Sequence, residues 1–197
     1  MLLKQVLDLF ELLDTPKANG ETIKELMLAN GADEVTVETA TGEKGSTDSI
    51  KILIKGSNGK SSGGTAPTLG IIGRLGGLGA RPEVIGFVSD GDGALAALSA
   101  GLKLAQMHKN GDVLAGDVLV ATHICPHAPT QDHFPVPFMD SPIDMQLCNR
   151  KEVDERMDAI LSIDTTKGNR VINLNGIAIS NTIKEGYILE VSNDIMD

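Results

Sequence analysis

The sequence predicts one α/β domain over residues 1–197, a three-layer arrangement of a mixed, mostly parallel sheet with helices on both faces. Three observations predict it. Apolar residues recur at helical spacing in "LLKQVLDLFELLD" and "GALAALSAGLKLAQMHKNG", short apolar runs such as "DVLVATH" and "AILSID" read as buried strands, and "EVTVETA" and "SIKILIKG" alternate with period two. A chain of 197 residues can bury a core of that size as one unit.

Leu3, Val6, Leu7, Phe10 and Leu13 outline a first amphipathic helix, which must stop near Thr15 because Pro16 restricts the residue before it. A second helix follows Asn19 and Gly20. Thr22 and Glu25 offer it a capping box, Ile23, Leu26 and Met27 a buried side, and Asn30-Gly31 a stop. "EVTVETA" and "SIKILIKG" then pair as strands, turned by "TGEKGSTD", with Ile50, Ile52 and Ile54 on one face. "GSNGKSSGG" resembles part of a phosphate loop. Ile54 stands where that motif needs its first glycine, and Gly63, Gly64 and Pro67 replace the helix that should follow, so the segment reads as a loop.

"TLGIIGRLGGLGARPEVIGFV" supplies two apolar strands among glycines 73, 76, 77 and 79, and Pro82 argues against a dinucleotide fingerprint there. The best-defined helix lies in "SDGDGALAALSAGLKLAQMHKNG". Leu95, Leu98, Leu102 and Ala105 mark one face, Asp90 and Asp92 lie at its amino end, and Asn110-Gly111 closes it. One aspartate is expected to cap the helix, which leaves the other carboxylate for a metal ion. "DVLVATH" is a buried strand ending at His123, "AILSID" one ending at Asp164, and "NRKEVDERM" a helix; the tail from Arg170 to Ile188 alternates like short strands.

Charge and composition remove several function classes. With 27 acidic against 17 basic residues the chain carries a formal charge of −10, which repels a phosphate backbone, and four Phe, one Tyr and no Trp leave few stacking platforms. Nucleic acid is not an expected partner. The apolar amino terminus is interrupted by Asp8, Glu11 and Asp14 and is no signal peptide, and no apolar run is long enough to span a bilayer. A cytoplasmic protein with no membrane partner is expected, with Cys125 and Cys148 as reduced thiols.

The chemistry concentrates in "ATHICPHAPTQDHF", which holds three of the four histidines, one of the two cysteines and Asp132. These are nitrogen, sulfur and oxygen donors that zinc accepts. His123 and His127 are four apart, but Pro126, Pro129, Pro135 and Pro137 forbid the helix that would put them on one face. One reading is therefore a solvated, proline-stiffened loop. The other draws on the sheet: His123, Asp164 and Asp90 all fall at the carboxyl ends of predicted strands, the edge where open α/β sheets collect ligands.

The order from "LLKQVLDLFELLDTPKANGETIKELMLANGADEVTVETATG" through "PTLGIIGRLGG" to "GFVSDGDGALAALSAGLKL" resembles the front of the di-zinc exopeptidases. The runs "NGKSSGG", "GFVSDGDGALAAL", "ATHICP" and "SIDTTKGNR" more closely resemble the domain-of-unknown-function 1177 family over nearly the whole chain. The wider resemblance implies a zinc-exopeptidase-like fold whose carboxyl-terminal part lies outside this chain. It places Asp90 on a bridging metal ligand and Asp164 on a later acidic ligand. Arg74 and Gly76 occupy the His-x-Asp positions, and Cys125 and Pro126 the Glu-Glu pair, so a histidine, its supporting acid and the glutamate base are absent.

Two functions follow. One is a metal-dependent hydrolase of small amide or peptide substrates, holding a divalent ion such as zinc through Asp90, His123 and Asp164, with Asp92 and Cys125 as further donors and His127 or His133 as proton shuttle. The other is a non-catalytic ligand-binding or assembly module on the same fold, with the glycine-rich Gly56 to Gly79 segment as its docking surface. A homo-oligomer is expected in either case, because an open sheet exposes an edge.

Overall fold

The computed structural model describes residues 2–74, 91–132, 134 and 138–164, with short strands at 166–167, 175–176, 182–184 and 187–189. Its elements run α1 (Leu3–Leu13), α2 (Gly20–Ala29), β1 (Glu34–Gly42), β2 (Gly45–Ile54), β3 (Leu69–Gly73), α3 (Asp92–Lys109), β4 (Val118–Ile124), β5 (Thr130–Gln131), β6 (Phe138–Met139), α4 (Met145–Glu152) and β7 (Ala159–Ile163). Two small antiparallel pairs follow, Thr166–Lys167 with Asn175–Gly176 and Thr182–Lys184 with Tyr187–Leu189.

The main sheet is α/β and mixed, in the order β1-β2-β4-β3-β7. Pairs β1–β2 and β2–β4 are antiparallel, whereas β4–β3 and β3–β7 are parallel, so among the described residues the sheet is evenly divided rather than mostly parallel. The hairpin β1–β2 accounts for the difference: its strands pair from Glu34↔Leu53 to Gly42↔Gly45, and only Glu43 and Lys44 turn the chain. Much of the expected turn is therefore strand. Gly45 supplies the turn's positive φ of 140°.

Strand alternation divides the core into two faces. Ile50, Ile52 and Ile54 of β2, Val118, Val120 and Ile124 of β4 and Ile71 of β3 bury against Leu9 and Leu13 of α1, Ile23 and Met27 of α2, and Leu98, Leu102 and Ala105 of α3. On the opposite face Leu53, Ile72, Leu119 and Ala121 pack with Met157, and Cys148 of α4 packs with Ala40 and Ile143. The α1 stripe is rotated from its expected place: Gln5, Leu9 and Leu13 are buried, while Leu3 and Leu7 remain about half exposed. The neighbour explains it, because α1 rests on α3 and Gln5 Nε2 donates to Gln106 Oε1 at 2.6 Å.

Helix ends also differ in detail. Asn19, not Thr22, caps α2, its Oδ1 accepting from the Thr22 amide at 2.9 Å. Asp144 caps α4 by accepting from the amides of Gln146 and Leu147, so that helix begins ahead of "NRKEVDERM" and ends at Glu152. Neither helix is long and apolar enough to cross a membrane, nor is any other among the described residues. The predicted strand in "EVIGFV" lies outside the described residues.

The phosphate-loop-like segment has a structural occupant. The Asp117 carboxylate accepts from the Gly56 amide at 2.9 Å, the Ser61 amide at 2.8 Å and Ser61 Oγ at 3.0 Å, and a Cβ on Gly59 would lie 1.8 Å from Asp117 Oδ1. Burial opposes the Asp117 charge, but these donors outweigh it and hold its pKa below the usual carboxylate range. Lys60 is paired with both oxygens of Asp158, at 2.6 and 2.8 Å. The loop's donors thus hold the protein's own carboxylates.

Candidate functional site

The parallel half of the sheet determines where a site can form. After β3 the next described helix, α3, covers one face, whereas β4 leads to α4 on the other. Connections leaving adjacent strands towards opposite faces open a crevice beyond their carboxyl ends. Arg74 directly follows β3, and His123 is the penultimate residue of β4. The start of α3 closes in from the side: Arg74 N donates to Ile163 O at 2.7 Å, and a Cβ on Gly93 would meet Arg74 O at 1.7 Å and Ile163 O at 2.5 Å. Only glycine permits that approach.

Against this edge α4 delivers two side chains. Cys148 and Glu152 are one helical turn apart and face His123 together. His123 Nδ1 lies 2.7 Å from Glu152 Oε1, Cys148 Sγ lies 3.2 Å from that oxygen and 3.5 Å from His123 Nδ1. All three residues are buried, Glu152 completely. Arg74 Nε stands 2.8 Å from Glu152 Oε2 as an ion pair without hydrogen-bond alignment, and the same guanidinium donates to Asn149 Oδ1 and to Met145 Sδ at 3.5 Å. A cation thus compensates the buried carboxylate.

The electrostatics decide which chemistry the thiol can do. Burial, followed by the charge of Glu152 and the hydrogen bond to it, pushes the Cys148 thiol up to about 12, with Arg74 opposing. It is a thiol at neutral pH, unsuited to nucleophilic attack. As ligands the three donors suit a zinc-type ion, and among the described residues they form the group that brings such donors within 4.8 Å of one another. Tetrahedral zinc separates its nitrogen, oxygen and sulfur ligands by about 3.3–3.6 Å. The sulfur–nitrogen edge matches and the sulfur–oxygen edge nearly so; the nitrogen–oxygen edge is a hydrogen bond that would open by about 0.6 Å. The residues fit the ion with a small side-chain adjustment.

Of the residues singled out from sequence, His123 belongs to this cluster. The sulfur beside it is that of Cys148, not Cys125, whose thiol donates to Ser46 O at 3.3 Å and packs with Ala128 and Met139. Burial pushes the Cys125 thiol up to about 11. Both cysteines are free thiols. Asp92 is exposed in the first turn of α3, behind a Gly91 cap position that makes no side-chain bond, and Asp164 is exposed just past β7. His127 is exposed in the loop after β4. Asp90 and His133 lie outside the described residues. The sequence pattern does not single out Glu152 and Cys148: their four-residue spacing is the available signal, and it is hidden because the helix predicted from "NRKEVDERM" starts only at Asn149, whereas α4 starts at Met145.

A family model described as "Protein of unknown function (DUF1177)" matches residues 38–197. No curated protein matches the chain in sequence. Among solved structures, the chain is similar to tomato leucine aminopeptidase at 16% identity and a TM-score of 0.45, covering 63% of this chain and 27% of that one. Caenorhabditis elegans leucine aminopeptidase gives 16% and 0.44, covering 65% and 29%. Fimbriiglobus ruber glutaminyl cyclase gives 11% and 0.46, covering 86% and 62%. The chain therefore spans less than a third of either aminopeptidase and under two thirds of the cyclase.

Proposed function

The chain belongs to the DUF1177 family, and on that premise we propose that it is a metal-dependent hydrolase of small amide or peptide substrates, its divalent ion held by His123, Cys148 and Glu152. The observation that carries the reading is the convergence of three buried nitrogen, sulfur and oxygen donors. A zinc-type ion, when bound, supplies Lewis acidity and an acidified water. His123 presents its imidazole from a strand held by neighbours on both sides. Cys148 must release its proton to ligate, and Arg74 is the cation that favours the thiolate. Asp90, Asp92 and Asp164 are further oxygen donors in this proposal, and His127 and His133 carry protons to and from solvent.

The same reading takes the fold as the three-layer arrangement and the protein as cytoplasmic. Its partners are a small-molecule or peptide substrate and further copies of the chain, joined through β7, an edge strand among the described residues that exposes Leu161. One observation favours the non-catalytic alternative: Arg74 already compensates Glu152, so the buried charge needs no ion. Metal analysis of protein purified without chelator, followed by cobalt titration, separates the two. One equivalent with a thiolate charge-transfer band, lost in Cys148→Ser and His123→Ala variants of parental circular dichroism, supports the hydrolase. A parent that takes up no metal and matches those variants overturns it.

A further inference from the structure

We propose that the cleft between β1, β2 and α4 is an anion subsite that receives the free carboxylate of the substrate, so that the protein takes N-acylated amino acids or the carboxyl-terminal end of a peptide. The cleft has a volume of about 180 Å³ and is lined by Thr36, Glu38, Ser49, Lys51, Arg150 and Lys151. Three cations line it with the carboxylate of Glu38, and Asp154 pairs with one of them, which leaves one cation in excess on a chain whose formal charge is −10. That local reversal of sign attracts anions.

The cations differ in how far they are already committed. Lys51 Nζ pairs with Asp154 at 2.9 Å, and Lys151 pairs with Glu38. Among the described residues Arg150 bonds only the neutral Gln146, at 3.3 Å to its carbonyl and 3.5 Å to its side chain. Its planar fork suits a carboxylate. The Lys151 hydrogen bond and charge, with that of Lys51, hold Glu38 below the usual carboxylate range. Glu38 therefore already shows what a bound carboxylate experiences at this place, and an incoming one competes with it for Lys151.

Position ties the cleft to the donor cluster. Ser49 is the direct cross-strand partner of His123, so both side chains project from the same face about 5 Å apart. Arg150 and Lys151 stand on the last two turns of α4 with Cys148 and Glu152, which face the donor cluster while the two cations face the cleft. In this proposal a carboxylate held in the cleft places the rest of the substrate on the Ser49 side of His123. An amino-terminal ammonium in the same place is repelled.

The assignment of the anion as substrate rests on the proposed hydrolase; anion binding itself does not, and the test is made on metal-free protein. Equilibrium dialysis at low ionic strength compares N-acetyl-alanyl-alanine with its carboxyl-terminal amide and with inorganic phosphate. The acid is expected to bind, to weaken with added salt, and to weaken about fivefold in Arg150→Gln. Glu38→Gln, which frees Lys151, should strengthen it by a similar factor. Equal binding of acid and amide, or indifference to Arg150→Gln, overturns the subsite. Tighter binding of phosphate than of the peptide acid overturns the substrate class. Failure of metal uptake with normal acid binding would sink the hydrolase and leave the subsite.

Discussion

Replacing Arg74 by Met tests the charge balance of the site most directly. Glu152 is fully buried, the Arg74 side chain is 18% exposed, and their closest atoms are 2.8 Å apart. At an effective dielectric constant of about 20, the attraction at that distance is roughly 6 kcal/mol, most of it offset by the cost of taking both groups out of water. Removing one partner of a buried pair typically costs about 3–5 kcal/mol, because the other is left uncompensated. The low end applies, since Arg74 retains some solvent and His123 still bonds Oε1. Arg74→Met should therefore lose about 3 kcal/mol, which lowers the urea midpoint by roughly 1.5 M. Far-UV circular dichroism is the suitable probe for a chain with one Tyr and no Trp. The double variant Arg74→Met/Glu152→Met removes the orphaned charge and should recover most of the loss. If the ion supplies the missing charge, zinc at one fixed concentration should stabilise Arg74→Met more than it stabilises the parent. A single variant within about 0.5 kcal/mol of the parent, or a double variant no more stable than the single, refutes the charge-balance argument.

Gly93→Ala should cost about 3 kcal/mol in thermal melts, because the added methyl meets the Arg74 and Ile163 carbonyls, whereas Gly63→Ala, at φ 82° with open space around it, should cost about 1 kcal/mol; equal losses would contradict the packing at the strand ends. Asp154 is held below the usual carboxylate range by hydrogen bonds from Arg156 and Lys51 that outweigh its burial. A depressed folded-state pKa gives stability that is fully present above the unfolded value near 3.9 and is lost progressively as pH falls from there through the lower folded-state value, so Asp154→Asn should be about 1–2 kcal/mol less stable at pH 7 and the gap should narrow steadily as pH falls below about 4. A difference that stays constant between pH 5 and pH 2 would assign the loss to packing.

The elements with a strong period were legible. The spans of α1, α2 and α3, the β1–β2 pair, and β4 and β7 follow from apolar spacing and from Pro16, Asn30-Gly31 and Asn110-Gly111, although β7, expected as a buried strand, is largely exposed among the described residues. Ile54 excludes the phosphate-loop motif from sequence, whereas the loop's role, to hold Asp117, depends on a residue 56 positions beyond Ser61. The site was legible in one member. His123 is conspicuous because imidazoles are few and it falls near the end of an apolar strand; Cys148 and Glu152 lie in a helix that starts at Met145, ahead of the "NRKEVDERM" pattern, and Arg74 is visible in sequence only as a departure from a metal-binding pattern.

Local sequence by itself determined which segments become helix or strand and which residues carry usable chemistry, because hydrophobic period, caps and proline act over a few residues. The tertiary structure alone decided that Arg74, His123, Cys148 and Glu152 share one buried neighbourhood, and that Cys125 does not. Strand order and the opposite faces taken by α3 and α4 bring those side chains together. Their charges compensate one another across as many as 78 residues of chain, a coupling that no pattern of neighbours along the sequence contains.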